Sequence, residues 1–199
     1  MKIKIKFALL ILTIIFSGLN QKVMAQSHFA IGKSTVNEMK ISGTSTFHDW
    51  TMKTAVFSGK AAFNIDPENQ ITKLSAIEFN LPVLTLKSGQ KKLDKNAYKA
   101  LKTDQFKEIT YKQVSAEVMS SNNSKFHIKT AGKLTIAGAT KDVVIDLYCF
   151  ANKDGSISCE GNYPINMSNY KVTAPIFMGG VMKTGDAIKL EFSFLFEKS

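Results

Sequence analysis

His48 and Asp49 are the adjacent pair whose types could do acid–base chemistry, because a carboxylate can orient an imidazole for proton transfer. Neighbours along a strand point to opposite faces, which makes direct pairing awkward. The alternative is a strand-end corner in which Trp50 packs and the polar pair hydrogen-bonds to backbone. A nucleophile or metal is also needed, and the chain carries neither a Gly-x-Ser-x-Gly elbow nor a His-Glu-x-x-His helix. Its histidines are His28, His48 and His127, the last among lysines, so we expect no metal site and assign no catalytic residue. Cys149 and Cys159 flank the turn-rich Asn152-Lys153-Asp154-Gly155, and a loop from Lys153 to Gly155 would set them opposite each other. Both fall on an apolar parity, so they are either two buried thiols or a cross-strand disulfide, and an exported chain would favour the disulfide. Their spacing matches neither a zinc site nor a thioredoxin-type pair.

Lys2, Lys4 and Lys6 precede the apolar run Phe7 to Leu19, and Val23-Met24-Ala25 supplies small residues for cleavage. Residues 1–25 therefore read as a secretory signal peptide cut near Ala25, leaving residues 26–199 as one domain in the periplasm or outside the cell. The run is 13 residues, well short of the ~20 that span a bilayer. Four lysines lie in this leader, so the formal charge falls from +10 to +6 on its removal, and nucleic-acid binding loses its main support. Lys125, Lys129 and Lys133 alternate along a strand and read as a solvated face. Attraction to an anionic headgroup or a transient membrane-surface contact is the rival reading; nothing in the sequence fixes the oligomeric state.

The elements that must position these residues are strands. From Lys125 to Phe150 the chain alternates on two arms around Gly138-Ala139-Thr140, with Phe126, Ile128, Thr130, Gly132, Leu134 and Ile136 on one parity. Strands are also expected from Met39 to Phe47, from Met52 to Ile65 with a bend at Gly59, and from Leu74 to Leu86 with Pro82 at an end or bulge. Another runs from Ile109 to Val118 with a bulge near Lys112-Gln113, and the last follows a turn at Gly185-Asp186. Ile188, Leu190, Phe192, Phe194 and Phe196 share one face of that last strand. Leu93, Ala97, Ala100 and Leu101 repeat instead at helical spacing, so one short helix lies near residues 90–102. Seven to eight strands at hairpin spacing argue for an all-β sandwich or a closed barrel.

Several segments, in order, resemble the YceI family of secreted polyisoprenoid-binding-like proteins. They are Ser42-Gly43-Thr44-Ser45-Thr46-Phe47-His48-Asp49-Trp50, Phe57-Ser58-Gly59, Leu93-Asp94 through Leu101-Lys102, and Phe106 through Tyr111. Gly132-Lys133-Leu134-Thr135-Ile136-Ala137-Gly138-Ala139-Thr140-Lys141 is the most specific, followed by Asn166 to Tyr170 and Gly179 to Asp186. Gly32-Lys33-Ser34-Thr35 departs from the Asp-x-x-His-Ser of many members. The resemblance implies an all-β fold: one closed, lipocalin-like antiparallel barrel of about eight strands, whose interior holds a long apolar molecule such as a polyisoprenoid lipid or quinone.

Phe47, Trp50, Phe79, Leu81, Tyr98, Phe106, Tyr111, Leu134, Ile136, Phe192 and Phe194 would line such a tunnel, unless they are ordinary core. Ile176, Phe177 and Met178, bounded by Pro175 and Gly179, would sit at its mouth, and Lys87, Lys91 and Lys92 could meet an anionic head. The resulting expectation is a periplasmic, non-enzymatic carrier of a lipid-like small molecule that needs no cofactor. A secreted enzyme or redox accessory using His48, Asp49 or the cysteines is the second expectation, and a ligand-free interaction module the third.

Overall fold

The computed structural model describes residues 26–122, 125–177 and 181–199, with the side chains of residues 121, 122 and 177 excepted. The expected leader, residues 1–25, lies outside the described residues. Eleven strands follow in order: β1 Gln26–Ile31, β2 Glu38–Ser45, β3 Trp50–Thr54, β4 Ser58–Ile65, β5 Ile71–Pro82, β6 Glu108–Asn122, β7 Lys125–Ile136, β8 Ala139–Ala151, β9 Ile157–Asn166, β10 Ile176–Phe177 and β11 Met182–Lys198. One helix, α1 (Lys91–Ala100), interrupts them between β5 and β6.

Eight strands close a ring in the order β1, β4, β5, β6, β7, β8, β9 and β11, with β11 pairing back to β1, and every pairing is antiparallel. Closure leaves no long free edge for another chain to extend. β11 is long enough to take two partners along one edge: Thr184 to Ser193 pair with β2, and Phe196 to Lys198 with β1. The β2–β3 hairpin thus continues the wall where β1 stops. Reciprocal backbone bonds between Lys53 and Lys87, at 2.8 and 2.9 Å, tie its outer strand to the segment after β5.

The expected parity of Lys125 to Ile136 holds residue by residue, with Phe126, Ile128, Thr130, Gly132, Leu134 and Ile136 buried. The turn falls one residue earlier than expected: Ile136 faces Ala139, and Ala137 and Gly138 form the two-residue loop with φ of 48° and 79°. Positive φ at both central positions matches the right-handed twist of the arms. The ring of Phe106 leans on this turn, and a Cβ on Gly138 would lie 2.4 Å from it.

Of the other local expectations, those at Gly59 and Gly185-Asp186 need correction, while the bulge in β6 and the place of Pro82 hold. The Met52 to Ile65 stretch is two strands, and the register slips lie beyond Ala62 rather than at Gly59, which makes room for the Ile31 side chain. The β6 bulge sits at Val114, between Gln113 and Ser115, and Val114 is left facing solvent. Gly185-Asp186 is no turn but an irregularity inside β11, where the register shifts between Thr184 and Ile188. Pro82 ends β5, where its missing donor costs no ladder bond.

Turns at 66–70 and 152–156 and both ends of the described chain gather at one end, here called the base. At the opposite end, the mouth, lie α1, the β2–β3 and β7–β8 turns, and the short helical turn Met167–Tyr170. Cys149 and Cys159 are paired across β8 and β9 as a disulfide near the base.

Candidate functional site

Inward side chains behave differently at the two ends. At the base, Phe29, Phe63, Phe126, Phe196, Leu74 and Ile157 are essentially fully buried. Phe63 packs edge-on against Phe29 at 5.5 Å and against Phe196 at 6.0 Å. The aromatic column continues from Phe196 to Phe194, whose ring stacks on Phe79 and Phe192 at 5.2 and 5.1 Å. Above these rings the barrel is hollow. A cavity of about 660 Å³ extends from Phe79, Phe192 and Phe194 to the mouth.

Its walls are overwhelmingly apolar. Met39, Ile41 and Met52 come from the β2–β3 hairpin, Ile77 and Leu81 from β5, Ile109 and Tyr111 from β6, and Leu134 and Ile136 from β7. Ile145 and Leu147 come from β8, Tyr163 and Ile165 from β9, and Ile188 and Leu190 from β11. α1 lies across the open end and turns Leu93, Ala97, Ala100 and Leu101 towards the hollow, so small side chains face space that large ones would fill. Asp94 holds this helix to its approach, accepting hydrogen bonds from the Ser88 backbone NH at 2.8 Å and its hydroxyl at 2.6 Å.

One polar relay crosses the wall. The Tyr111 hydroxyl donates to Thr130 Oγ1 at 3.0 Å, and Thr130 donates to the Ile145 carbonyl at 3.1 Å. Burial pushes the Tyr111 phenol up, with the Thr130 hydrogen bond opposing it. Tyr111 lies against Gly132, where a Cβ would come within 2.6 Å of the phenol, so bare backbone makes the room. Tyr170, near the mouth, is pushed up to about 12 by burial, with a contribution from Tyr163. Both phenols are therefore neutral in ordinary conditions, as suits a low-polarity interior.

Of the residues expected to form a tunnel, Trp50, Phe79, Leu81, Tyr111, Leu134, Ile136, Phe192 and Phe194 line the cavity. The other expected positions do not line it or lie outside the described side chains. Phe47 stands exposed at the tip of the β2–β3 turn, and Ile176 is exposed on β10. Phe106 is spent on the β7–β8 turn. Tyr98 faces the segment before α1, donating to the Leu86 carbonyl at 2.6 Å. Phe177 is described only by its backbone, and Met178 lies outside the described residues. Lys92 lines the mouth and Lys91 does not. Lys87 donates to the Tyr98 hydroxyl at 2.8 Å, a bond that raises its pKa, so its charge is already engaged beside the mouth.

His48 and Asp49 also border the mouth, both exposed, and no hydrogen bond joins their side chains. The His48 backbone instead closes the turn with Ser45: its carbonyl accepts from the Ser45 hydroxyl at 2.6 Å and its NH donates back at 3.3 Å. Trp50 donates to the Thr44 carbonyl at 3.1 Å. This is the strand-end corner rather than a carboxylate–imidazole pair. Among the described residues, no group of three or more His, Cys, Asp or Glu could hold a metal ion.

Sequence reasoning missed Met39, Ile41, Met52, Tyr163, Ile165, Met167 and Ile188 as lining residues. The parity of β2 and β11 could have supplied Met39, Ile41 and Ile188; on β9, Gly161 and Pro164 obscure the alternation.

The fold has solved counterparts. BcnA of Burkholderia cenocepacia is 15% identical with a TM-score of 0.62, over 80% of this chain and 95% of that one. A polyisoprenoid binding domain from Saccharophagus degradans, implicated in plant cell wall breakdown, is 11% identical with a TM-score of 0.65, over 88% of this chain and all of that one. The YceI protein of Campylobacter jejuni is 21% identical with a TM-score of 0.54, over 85% of this chain and 89% of that one. No curated protein sequence matches at a significant level. The YceI-like domain family matches residues 23–196, nearly the whole described chain. This chain therefore belongs to the YceI family.

Proposed function

We propose that the protein binds one long apolar or amphiphilic molecule, of the isoprenoid lipid or quinone class, inside its barrel and carries or sequesters it without chemical change. The observation that carries this reading is the apolar cavity of about 660 Å³ above a solid base. That volume falls within the ~300–1,000 Å³ usual for small-molecule sites. Each methylene removed from water would contribute ~0.8 kcal/mol before ordering costs. Met39, Met52, Met167 and Met182 suit a flexible chain because thioether side chains adapt to irregular shapes. Lys92, Gln90 and Asn96 border the mouth and offer donors to a polar head. The polyisoprenoid-binding description of the Saccharophagus degradans counterpart supports the ligand class.

The protein acts, in this reading, outside the cytoplasm. The lysine-led apolar leader and the Cys149–Cys159 disulfide support that placement. No residue is assigned to catalysis and no cofactor is required. The test is titration of the delipidated protein with an environment-sensitive apolar dye, followed by competition with isoprenoid alcohols of increasing length. Saturable one-to-one binding, displaced better by longer chains, is expected. A delipidated, folded protein that binds neither dye nor isoprenoid would overturn the proposal.

A further inference from the structure

The mouth end gathers exposed lysines and exposed apolar side chains on one side of the molecule. On the wall, several lysines close on carboxylates, as Lys40 does on Glu191 at 3.1 Å, Lys112 on Glu78 at 3.0 Å and Lys133 on Asp142 at 2.8 Å, while Lys60, Lys73 and Lys129 are exposed one to a strand. On and just after α1, Lys91, Lys95, Lys99 and Lys102 are exposed, and among the described residues none has a carboxylate within ion-pair reach. The acid of the helix, Asp94, is buried and occupied by Ser88. Across the mouth lie the further exposed lysines Lys171 and Lys183. Exposed acids at this end include Asp49, Asp104 and Asp186, and Asp186 is held by the Ser168 backbone and hydroxyl.

Apolar side chains project from the same end. Phe47 is 55% exposed, Ile176 60% and Val181 62%. They belong to one corner: Thr46, beside Phe47, exchanges hydrogen bonds with Lys183 at 3.0 Å, and Lys183 pairs with Ile176. Solvent gains nothing from these side chains, whereas the boundary of a bilayer accepts apolar tips and places phosphates level with the lysines around them. The same arrangement would bring the mouth of the cavity against the lipid from which an apolar ligand must enter without crossing water.

We infer that the mouth docks on an anionic lipid surface, inserting the Phe47, Ile176 and Val181 corner while the outer lysines of α1 meet headgroup phosphates. This deepens the carrier reading and rests on it for the ligand, but not for the docking itself. The attachment is peripheral: among the described residues no helix is long and apolar enough to cross a membrane.

The test uses the folded protein and co-sedimentation with vesicles of phosphatidylcholine alone or mixed with phosphatidylglycerol. Binding is expected on the anionic vesicles only, falling steeply with salt. Lys95→Gln, Lys99→Gln and Lys102→Gln together should weaken partition by about a hundredfold, at about fivefold per lysine near an anionic surface. Phe47→Ser with Ile176→Ser should reduce it about tenfold or more. Circular dichroism and dye titration run on the same variants: native spectra and unchanged dye affinity locate the loss at the surface. Absent vesicle binding, equal binding to neutral vesicles, or folded variants that partition like the parent would overturn the docking. Vesicle binding by a protein that takes up no dye would instead sink the carrier reading and leave the docking standing.

Discussion

At the base of the barrel, Phe29, Phe63, Phe126 and Phe196 are fully buried, with Phe63 packed against Phe29 and Phe196, while further along β7 and β11 the inward side chains border open volume. Both regions show the same in-out alternation and the same antiparallel ladders. The difference lies in what completes them. The base has large aromatics at facing positions and a disulfide across β8 and β9. The mouth has α1, which presents Ala97 and Ala100 to the hollow, and a wall finished by the β2–β3 hairpin. Stability is therefore concentrated where the cavity does not reach, and the cavity can remain underpacked without endangering the fold.

The sharpest break of this contrast is a pair of truncations. Phe63→Ala should cost ~3–5 kcal/mol, because a tightly packed ring leaves a new void. Leu190→Ala borders existing space and should cost about 1 kcal/mol, since fewer packing contacts are lost. Denaturant midpoints with unchanged slopes decide between them; equal losses would mean that the two ends are packed alike.

Next in size is the disulfide. Reduction, or Cys149→Ser with Cys159→Ser, should cost about 2–4 kcal/mol for a bridge closing a short loop. The bridge lies at the base, so dye affinity per folded molecule should not change.

Alkaline pH addresses the mouth. The Tyr170 phenol titrates near 10 in the unfolded chain and at about 12 in the folded one. Its contribution is complete below pH 10 and is lost as pH rises through 12, because the unfolded state gives up its proton first. Tyr170→Phe should flatten this limb of the stability–pH curve, leaving a shallower fall from Tyr111; an unchanged limb would contradict the assignment.

Smallest in stability, though decisive for binding, is a filling substitution. Ala97→Trp should change stability by less than about 1 kcal/mol while reducing dye uptake, because it occupies existing volume. Ala61→Leu at the base should cost ~1–3 kcal/mol by overpacking. If Ala97→Trp were the more destabilising of the two, the hollow would not be available space.

The sheet was largely legible. The parity of β7, the aromatic face of β11 and the spacing of Leu93, Ala97, Ala100 and Leu101 each name an element and its buried side, because strand and helix periods differ. β1 was not seen, since Gln26–Ile31 is short and its polar and apolar residues fall in two blocks rather than alternating; nor was the break between β3 and β4, which lacks glycine or proline. The site was only half legible. Inward parity points to Phe79, Leu134 and Phe192, but an inward side chain in a filled barrel carries the same pattern as one in a hollow barrel. Phe47 and Phe106 read as tunnel aromatics by type, yet one sits at a turn tip and the other against Gly138, placements fixed by tertiary contacts.

The central claim is that the hollow above Phe79, Phe192 and Phe194 holds a single apolar molecule. Native mass spectrometry of the purified protein, with solvent extraction of the same sample, tests it most directly. The account predicts one added mass per chain, recovered in the organic phase as an isoprenoid lipid or quinone, and lost in Ala97→Trp. A protein that carries no added mass, and gains none when incubated with isoprenoids, would contradict it.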